Sequence, residues 1–147
     1  MAEKITKTTK TKKTKKADFF TGTGRRKTST ARVWLFAEKG EFTVNDKNMK
    51  DLFVSGKDTL DWIKPFHAVG VSHPQAKFSA TIKVAGGGIA SQLDAIQMGL
   101  ARALLKYDET LKPILRASGL LTRDSRKKER KKPYLRKARK APQYSKR

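Results

Sequence analysis

Three stretches of this chain carry residues whose types and spacing could do chemistry. The longest is residues 123–147, RDSRKKERKKPYLRKARKAPQYSKR, with thirteen Lys and Arg against only Asp124 and Glu129. Such cations meet phosphate oxygens, arginine through two parallel hydrogen bonds and lysine as a point charge. Arginine planes and tyrosine rings also stack on unpaired bases, and proline keeps an extended segment from collapsing on itself. The candidate RNA contacts are Arg123, Arg126, Lys127, Lys128, Arg130, Lys131, Lys132, Arg136, Lys137, Arg139 and Lys140, with Tyr134 and Tyr144 as stacking rings. A charge run is ordinarily a solvated face. This one is too long and too one-sided in sign for that reading.

The second stretch is GTGRRKTS, Gly22–Ser29. It invites a nucleotide-binding reading and fails both phosphate-loop templates: no third glycine completes G-x-G-x-x-G, and Arg26 precedes Lys27 where the P-loop needs glycine. The reading favoured here is a basic loop in which Arg25, Arg26 and Lys27 contact phosphate while the glycines let backbone approach it. The alternative is a β-turn with a solvated charge run. The third stretch, VAGGGIASQ, sets Gly86, Gly87 and Gly88 between a strand and a helix start. Exposed amides at a helix N-terminus can hold an anion. Glycines also permit positive φ and close packing of strand against helix. The two readings are compatible and both stand.

Catalysis has no candidate. No nucleophile stands beside a recognisable base, and the carboxylates are scattered over positions such as Glu38, Glu41 and Asp58. His67 and His73 fit no metal-ligand spacing and read as loop or structural residues. The absence of cysteine excludes disulfides, zinc knuckles and thiol catalysis. No cofactor and no metal are expected.

The elements that must position these stretches are set out by charge and periodicity. The chain has 147 residues and a net charge of +22, and its length suggests one domain. Residues 1–16 carry +6, residues 123–147 carry +11, and residues 17–122 only +5. We therefore expect a Lys/Thr-rich arm (1–16), a globular domain (17–122) and an extended basic tail (123–147). Both ends have too little apolar surface to offset ordering entropy, so they are expected to stay disordered until a polyanion neutralises them. An anionic membrane would favour an amphipathic helix, which Pro133 and Pro142 interrupt. No apolar run approaches the ~20 residues of a membrane span, and MAEKITKTTKTKKTKK lacks the apolar core of a secretory signal.

In the centre, Ala31, Val33 and Leu35 alternate with Thr30, Arg32, Trp34 and Phe36 from Ser29 onward, the period of a strand. Gly40 marks a turn, Phe42 and Val44 continue the alternation, and Asn45-Asp46 signals another turn, together predicting a hairpin or meander. Met49, Leu52, Phe53, Leu60, Ile63 and Phe66 predict two short helices broken at Ser55-Gly56. Phe78, Ala80, Ile82 and Val84 predict a strand. Ile89, Leu93, Ile96, Leu100, Leu104 and Tyr107 mark one apolar face of a long helix. A shorter helix is predicted over roughly 108–117, stopped by Gly119. The fold class is α+β, a small β-sheet covered by helices.

The segments FFTGTGRRKTSTARVWL, VAGGGIASQLDAIQMGLARALLKYD and LRASGLLTRDSRKKERKKPYLRKARKAPQYSKR resemble the family of small-subunit ribosomal protein number nine, bacterial or organellar type, over roughly residues 18–147. The resemblance implies a structural protein of the small-subunit head that binds small-subunit ribosomal RNA beside neighbouring head proteins. It implies a globule like the second domain of ribosomal protein number five, and a cytoplasmic ribosome in preference to an organellar one. It implies a tail threading through RNA toward the decoding region, with Ser145, Lys146 and Arg147 touching the anticodon stem-loop of peptidyl-site transfer RNA. Ser91 and Gln97 stand where the family commonly has Gly and Arg. The rival readings are a free RNA chaperone or histone-like protein, and an enzyme of the small-molecule kinase type, which only the glycine run would motivate.

Overall fold

A computed structural model describes residues 19–53 and 56–143. The expected arm and the tip Tyr144–Arg147 lie outside these residues. Five strands form one mixed sheet: β1 (Phe19–Arg26), β2 (Ser29–Phe36), β3 (Phe42–Val44), β4 (Lys47–Asn48) and β5 (Ser79–Ala85), in the order β1-β2-β5-β3-β4. The helices are α1 (Met49–Leu52), α2 (Gly56–Ala68), α3 (Ile89–Tyr107) and α4 (Lys112–Ala117), with single 3-10 turns at Pro74–Ala76 and Glu109–Leu111.

The alternation in β2 and β5 is realised residue for residue. Ala31, Val33, Leu35, Ala80, Ile82 and Val84 are buried, and their neighbours face outward. The expected hairpin or meander is correct for β3–β4, and β1–β2 is a further antiparallel hairpin where a basic loop was expected. The expectation fails between β2 and β3, because β5 inserts there, antiparallel to β2 and parallel to β3. The Phe42–Val44 run is too short to show which neighbour it takes, since alternation specifies a face and not a partner. Asn45 and Asp46 both adopt positive φ, 46° and 66°, the geometry of a tight primed hairpin turn. The Asn45 side chain then extends the ladder: its amide donates to the Val84 carbonyl at 3.0 Å and its oxygen accepts from the Val84 N–H at 2.9 Å.

The long helix lies as its periodicity predicts, with Leu93, Ile96, Leu100 and Leu104 fully inside; Ile89 and Tyr107, at its ends, are half exposed. It approaches β1 closely enough that backbone meets backbone. A Cβ on Gly22 would overlap the Gly99 carbonyl oxygen, and one on Gly24 the Ala95 carbonyl oxygen. Alternate glycines on one face of β1 therefore meet Ala95, Gly99 and Ala103 of α3, four residues apart along one helix face. Arg102 and Lys106 of α3 reach over this edge strand, to the Thr23 carbonyl at 2.6 Å and the Thr21 hydroxyl at 3.0 Å. They occupy polar groups an open sheet edge would leave exposed.

An aromatic chain closes the other end of the core. Phe42 packs on Trp62 and Phe66 at ring-centroid distances of 5.0 and 5.6 Å, and Phe66 leads through Phe78 to Tyr107 and Phe20. Trp62 escaped the sequence reading, although its spacing of four from Phe66 places both on one face of α2. The 3-10 turn and α4 replace the single helix expected over 108–117; Leu115 is buried and Ile114 is not. Gly119, at φ 71°, ends α4: its N–H bonds the Arg116 carbonyl and the Leu120 N–H bonds that of Leu115, the paired closure of a left-handed helix cap. Leu120 and Leu121 still pack on the core.

Candidate nucleic-acid interface

The residues GTGRRKTS form no loop. Gly22 through Arg26 belong to β1, and Lys27-Thr28 are the two-residue turn to β2, with Lys27 at φ 50°. The glycines face α3, so the reading in which they let backbone approach a phosphate is corrected: they admit a helix instead. The three cations part company. Arg25 and Lys27 are exposed on either side of the strand end. Arg26 turns inward, its side chain only 13% exposed, and lies 3.2 Å from Asp94 of α3 and 3.1 Å from Asp124. It also donates to the Arg126 main-chain carbonyl at 3.1 Å.

Arg26 thus holds the root of the tail to the globule. Three acceptors around one guanidinium suit its planar fork, which a lysine could not reproduce. Asp124 is gripped from the other side by Arg126, whose side chain bonds it at 2.7–3.2 Å and whose N–H bonds it at 2.8 Å. The Arg126 side-chain hydrogen bonds, then its backbone N–H, hold the Asp124 carboxyl down at about 2, with the charges of Arg126 and Arg26 adding. The same pairing raises Arg126. Gln97 lines the hollow beside this root.

Beyond the root, residues 123–143 form neither helix nor strand. Glu129, the other acid of the tail, bonds Arg139 at 2.9 Å and Lys132 at 3.5 Å. With turns at Lys132–Leu135 and Arg136–Lys140, these bonds bend the segment back on itself. Of the two acids of the tail, Asp124 thus anchors the root to the globule and Glu129 stitches the segment locally. Arg123, Lys127, Lys128, Arg130, Lys131, Arg136, Lys137 and Lys140 are exposed and pair with no carboxylate among the described residues. Tyr134 is 90% exposed and sits at φ 62°.

At the glycine run, Gly86 and Gly87 take positive φ, 75° and 69°. A Cβ on Gly86 would press on the Thr28 carbonyl at 2.7 Å, and one on Gly87 would overlap the Ser29 hydroxyl. The tight-turn reading therefore holds. Ser91, buried at this helix start, lies 2.8 Å from Ser29 Oγ and accepts the Gly88 N–H at 3.1 Å. Its hydroxyl locks the turn to the start of β2. His67 and His73 are both exposed, at the end of α2 and beside a 3-10 turn. Among the described residues no cluster of acids and histidines could hold a metal, and no helix is long and apolar enough to cross a membrane.

The outward rows of the sheet were visible in the sequence only as the polar half of an alternation. In the fold, Arg32 of β2 stands directly across from Lys83 of β5, and Thr30 between Arg25 and Ala85.

The class of this small α+β globule with a basic tail is given by a family model described as ribosomal protein S9/S16, which matches residues 24–147. The chain is 45% identical over 128 residues to the small ribosomal subunit protein uS9 of Pseudothermotoga lettingae, covering 87% of this chain and 96% of that one. It is 46% identical over 132 residues to that of Dehalococcoides mccartyi, covering 90% and 98%. The chain belongs to the ribosomal protein S9 family.

Proposed function

We propose that this chain is a structural, non-catalytic constituent of the head of the small subunit in a cytoplasmic ribosome. In this reading it binds small-subunit ribosomal RNA through its tail beside neighbouring head proteins. The observation that carries the reading is the division of labour in the tail. Its two acids are taken up by the protein's own cations, Asp124 by Arg26 and Arg126 and Glu129 by Lys132 and Arg139, which leaves eight exposed cations among the described tail residues without a carboxylate partner. RNA contact at Arg25, at Lys27 and at the Gly86–Gly88 turn belongs to the same proposal, as does contact at Arg26 whenever its carboxylate partners exchange for phosphate. So do extension of the tail on RNA and the division of the chain near residues 17 and 122. A likeness of the globule to the second domain of ribosomal protein number five belongs to the same proposal.

The finer part of the proposal is that Ser145, Lys146 and Arg147, which lie outside the described residues, contact the anticodon stem-loop of peptidyl-site transfer RNA. Charge-assisted hydrogen bonds contribute roughly 1.5–3 kcal/mol at most. Removing the three residues should weaken that transfer RNA by about 10-fold, equivalent to ~1.4 kcal/mol. The upstream cations should keep assembly normal. The measurement is transfer RNA affinity of purified subunits carrying the truncated chain, with subunit yield recorded alongside. Unchanged affinity at normal yield removes the tip from the interface. Finding the full-length chain at the top of a sucrose gradient, away from small subunits, removes the ribosomal role.

A further inference from the structure

The sheet has two faces, and among the described residues every helix lies on one of them, α3 over β1, β2 and β5 and α2 against α3. The other face is uncovered. It presents Thr23 and Arg25 from β1, Thr30, Arg32 and Trp34 from β2, and Thr81 and Lys83 from β5, with no acid among the outward positions of these three strands; at the β3–β4 end Glu41 accepts from the Asn48 side chain at 3.1 Å. Arg32 and Lys83 are cross-strand partners. Paired strands lie about 4.8 Å apart, and like charges set directly opposite destabilise a sheet. Neither side chain pairs with a carboxylate among the described residues, and Arg25 stands on the adjacent row. Together the three cations border a shallow depression of about 430 Å³ floored by Thr30 and Ala85. Two residues along β2 from Arg32, on the same face, Trp34 is partly exposed.

We propose that this open face is a second RNA-binding surface. Phosphates of a single-stranded or looped RNA segment lie over Arg25, Arg32 and Lys83, and an unpaired base packs against Trp34. The inference rests on the RNA-binding reading above and adds a site outside the tail. The like-charge pair is what points to a polyanion: it costs the isolated sheet stability, and phosphate reverses the sign of that interaction. A flat pleated surface with a ring among cations also suits splayed bases, whose faces stack without regard to sequence.

The test uses the full chain and its double variant Arg32→Ala/Lys83→Ala, titrated with single-stranded oligouridylate. Trp34 and Trp62 are the only tryptophans, and Trp62 is buried in the core. Their indole NMR signals therefore report the face and the fold separately. We expect RNA to move the Trp34 signal and leave that of Trp62 in place. In the variant, an unmoved Trp62 signal reports an intact fold. Each single-strand phosphate contact adds about 0.7 to the log–log salt slope, so the variant's slope should shrink by about 1.4. Raising salt from about 50 to about 200 mM should then cost the variant ~7-fold less affinity than the parent. A chain that binds RNA with an unchanged slope and an unmoved Trp34 signal overturns this surface while sparing the tail. A chain that binds no RNA at any salt overturns the function proposed above. In assembled subunits, photo-cross-links from this face to protein and none to RNA would assign it to a neighbouring protein and overturn the inference.

Discussion

Arg26 and Gly24 stand two residues apart on β1, and both changed meaning on folding. The carboxyl of Asp124, which shares Arg26 with Asp94, is held at about 2 instead of 3.8. A carboxyl depressed in the folded state stabilises it fully above the unfolded value, and that contribution is lost as pH falls through the folded one. The tail root should therefore be intact at neutral pH and come loose between 3.8 and about 2. Carbon-detected NMR of the Asp124 carboxyl should give a midpoint near 2 in the parent. In Arg126→Ala it should move up toward 3.8, because Arg126 supplies the largest lowering contacts. An unshifted midpoint in that variant would place the lowering elsewhere. Gly24→Ala tests the other role. Its Cβ would enter the Ala95 carbonyl of a rigid helix, with no flexible side chain to yield. We expect a loss of about 3 kcal/mol, the upper end of overpacking, by chemical denaturation. At Gly99 the added methyl would meet the buried Val33 methyl at 2.7 Å in place of a backbone carbonyl at 1.8 Å, a milder overlap, so Gly99→Ala should destabilise by less.

Among the elements, α3 is the organiser. Its small face admits β1, its leucines fill the core, and its outer cations Arg102 and Lys106 close the sheet edge. The short α4 then sets the direction in which the chain leaves the globule. Its cap depends on Gly119 at positive φ, where a Cβ would meet nothing within 4 Å. Gly119→Ala is therefore a purely conformational change and should cost about 1 kcal/mol by thermal or denaturant unfolding. A much larger loss would mean that re-aiming the chain at this cap also dislodges Leu120 or the Arg26–Asp124 contact. Hydrogen exchange at residues 120–126 separates the two outcomes.

Across the whole molecule, charge is segregated: the two ends carry +17 of the +22. If those ends meet phosphates, RNA affinity should fall steeply with salt, by about 0.7–0.9 in log–log slope per phosphate neutralised. A flat response would remove phosphate contact as the main contribution. Deleting residues 1–16, which carry +6, should reduce that slope and weaken association modestly. Cooperative unfolding of the globule should be unchanged, because a Lys/Thr-rich segment supplies point charges and little to bury. Loss of cooperativity in that deletion would place part of the arm against the core.

Periodicity is a local property, and what depends on it was legible in the sequence. The faces of β2 and β5, the buried stripe of α3, the stop at Gly119, the α+β class and the segregation of charge all follow from neighbours within a few residues. Family membership was equally legible, because its motifs are written in consecutive residues. Partners separated by tens of residues were not. Nothing near Phe42 announces that β5 will pair with it in parallel, and nothing near Gly22 announces a helix seventy-odd residues later whose backbone needs the space of two missing side chains. In sequence, Arg26 is one of three equal cations; in the fold it alone meets Asp94 and Asp124, because β1, α3 and the start of the tail converge at one corner. The opposition of Arg32 and Lys83 is likewise a product of strand order. Side-chain type decides which residues are buried or charged, but only the three-dimensional pairing of distant segments decides which charges are neutralised within the protein and which are left for a ligand.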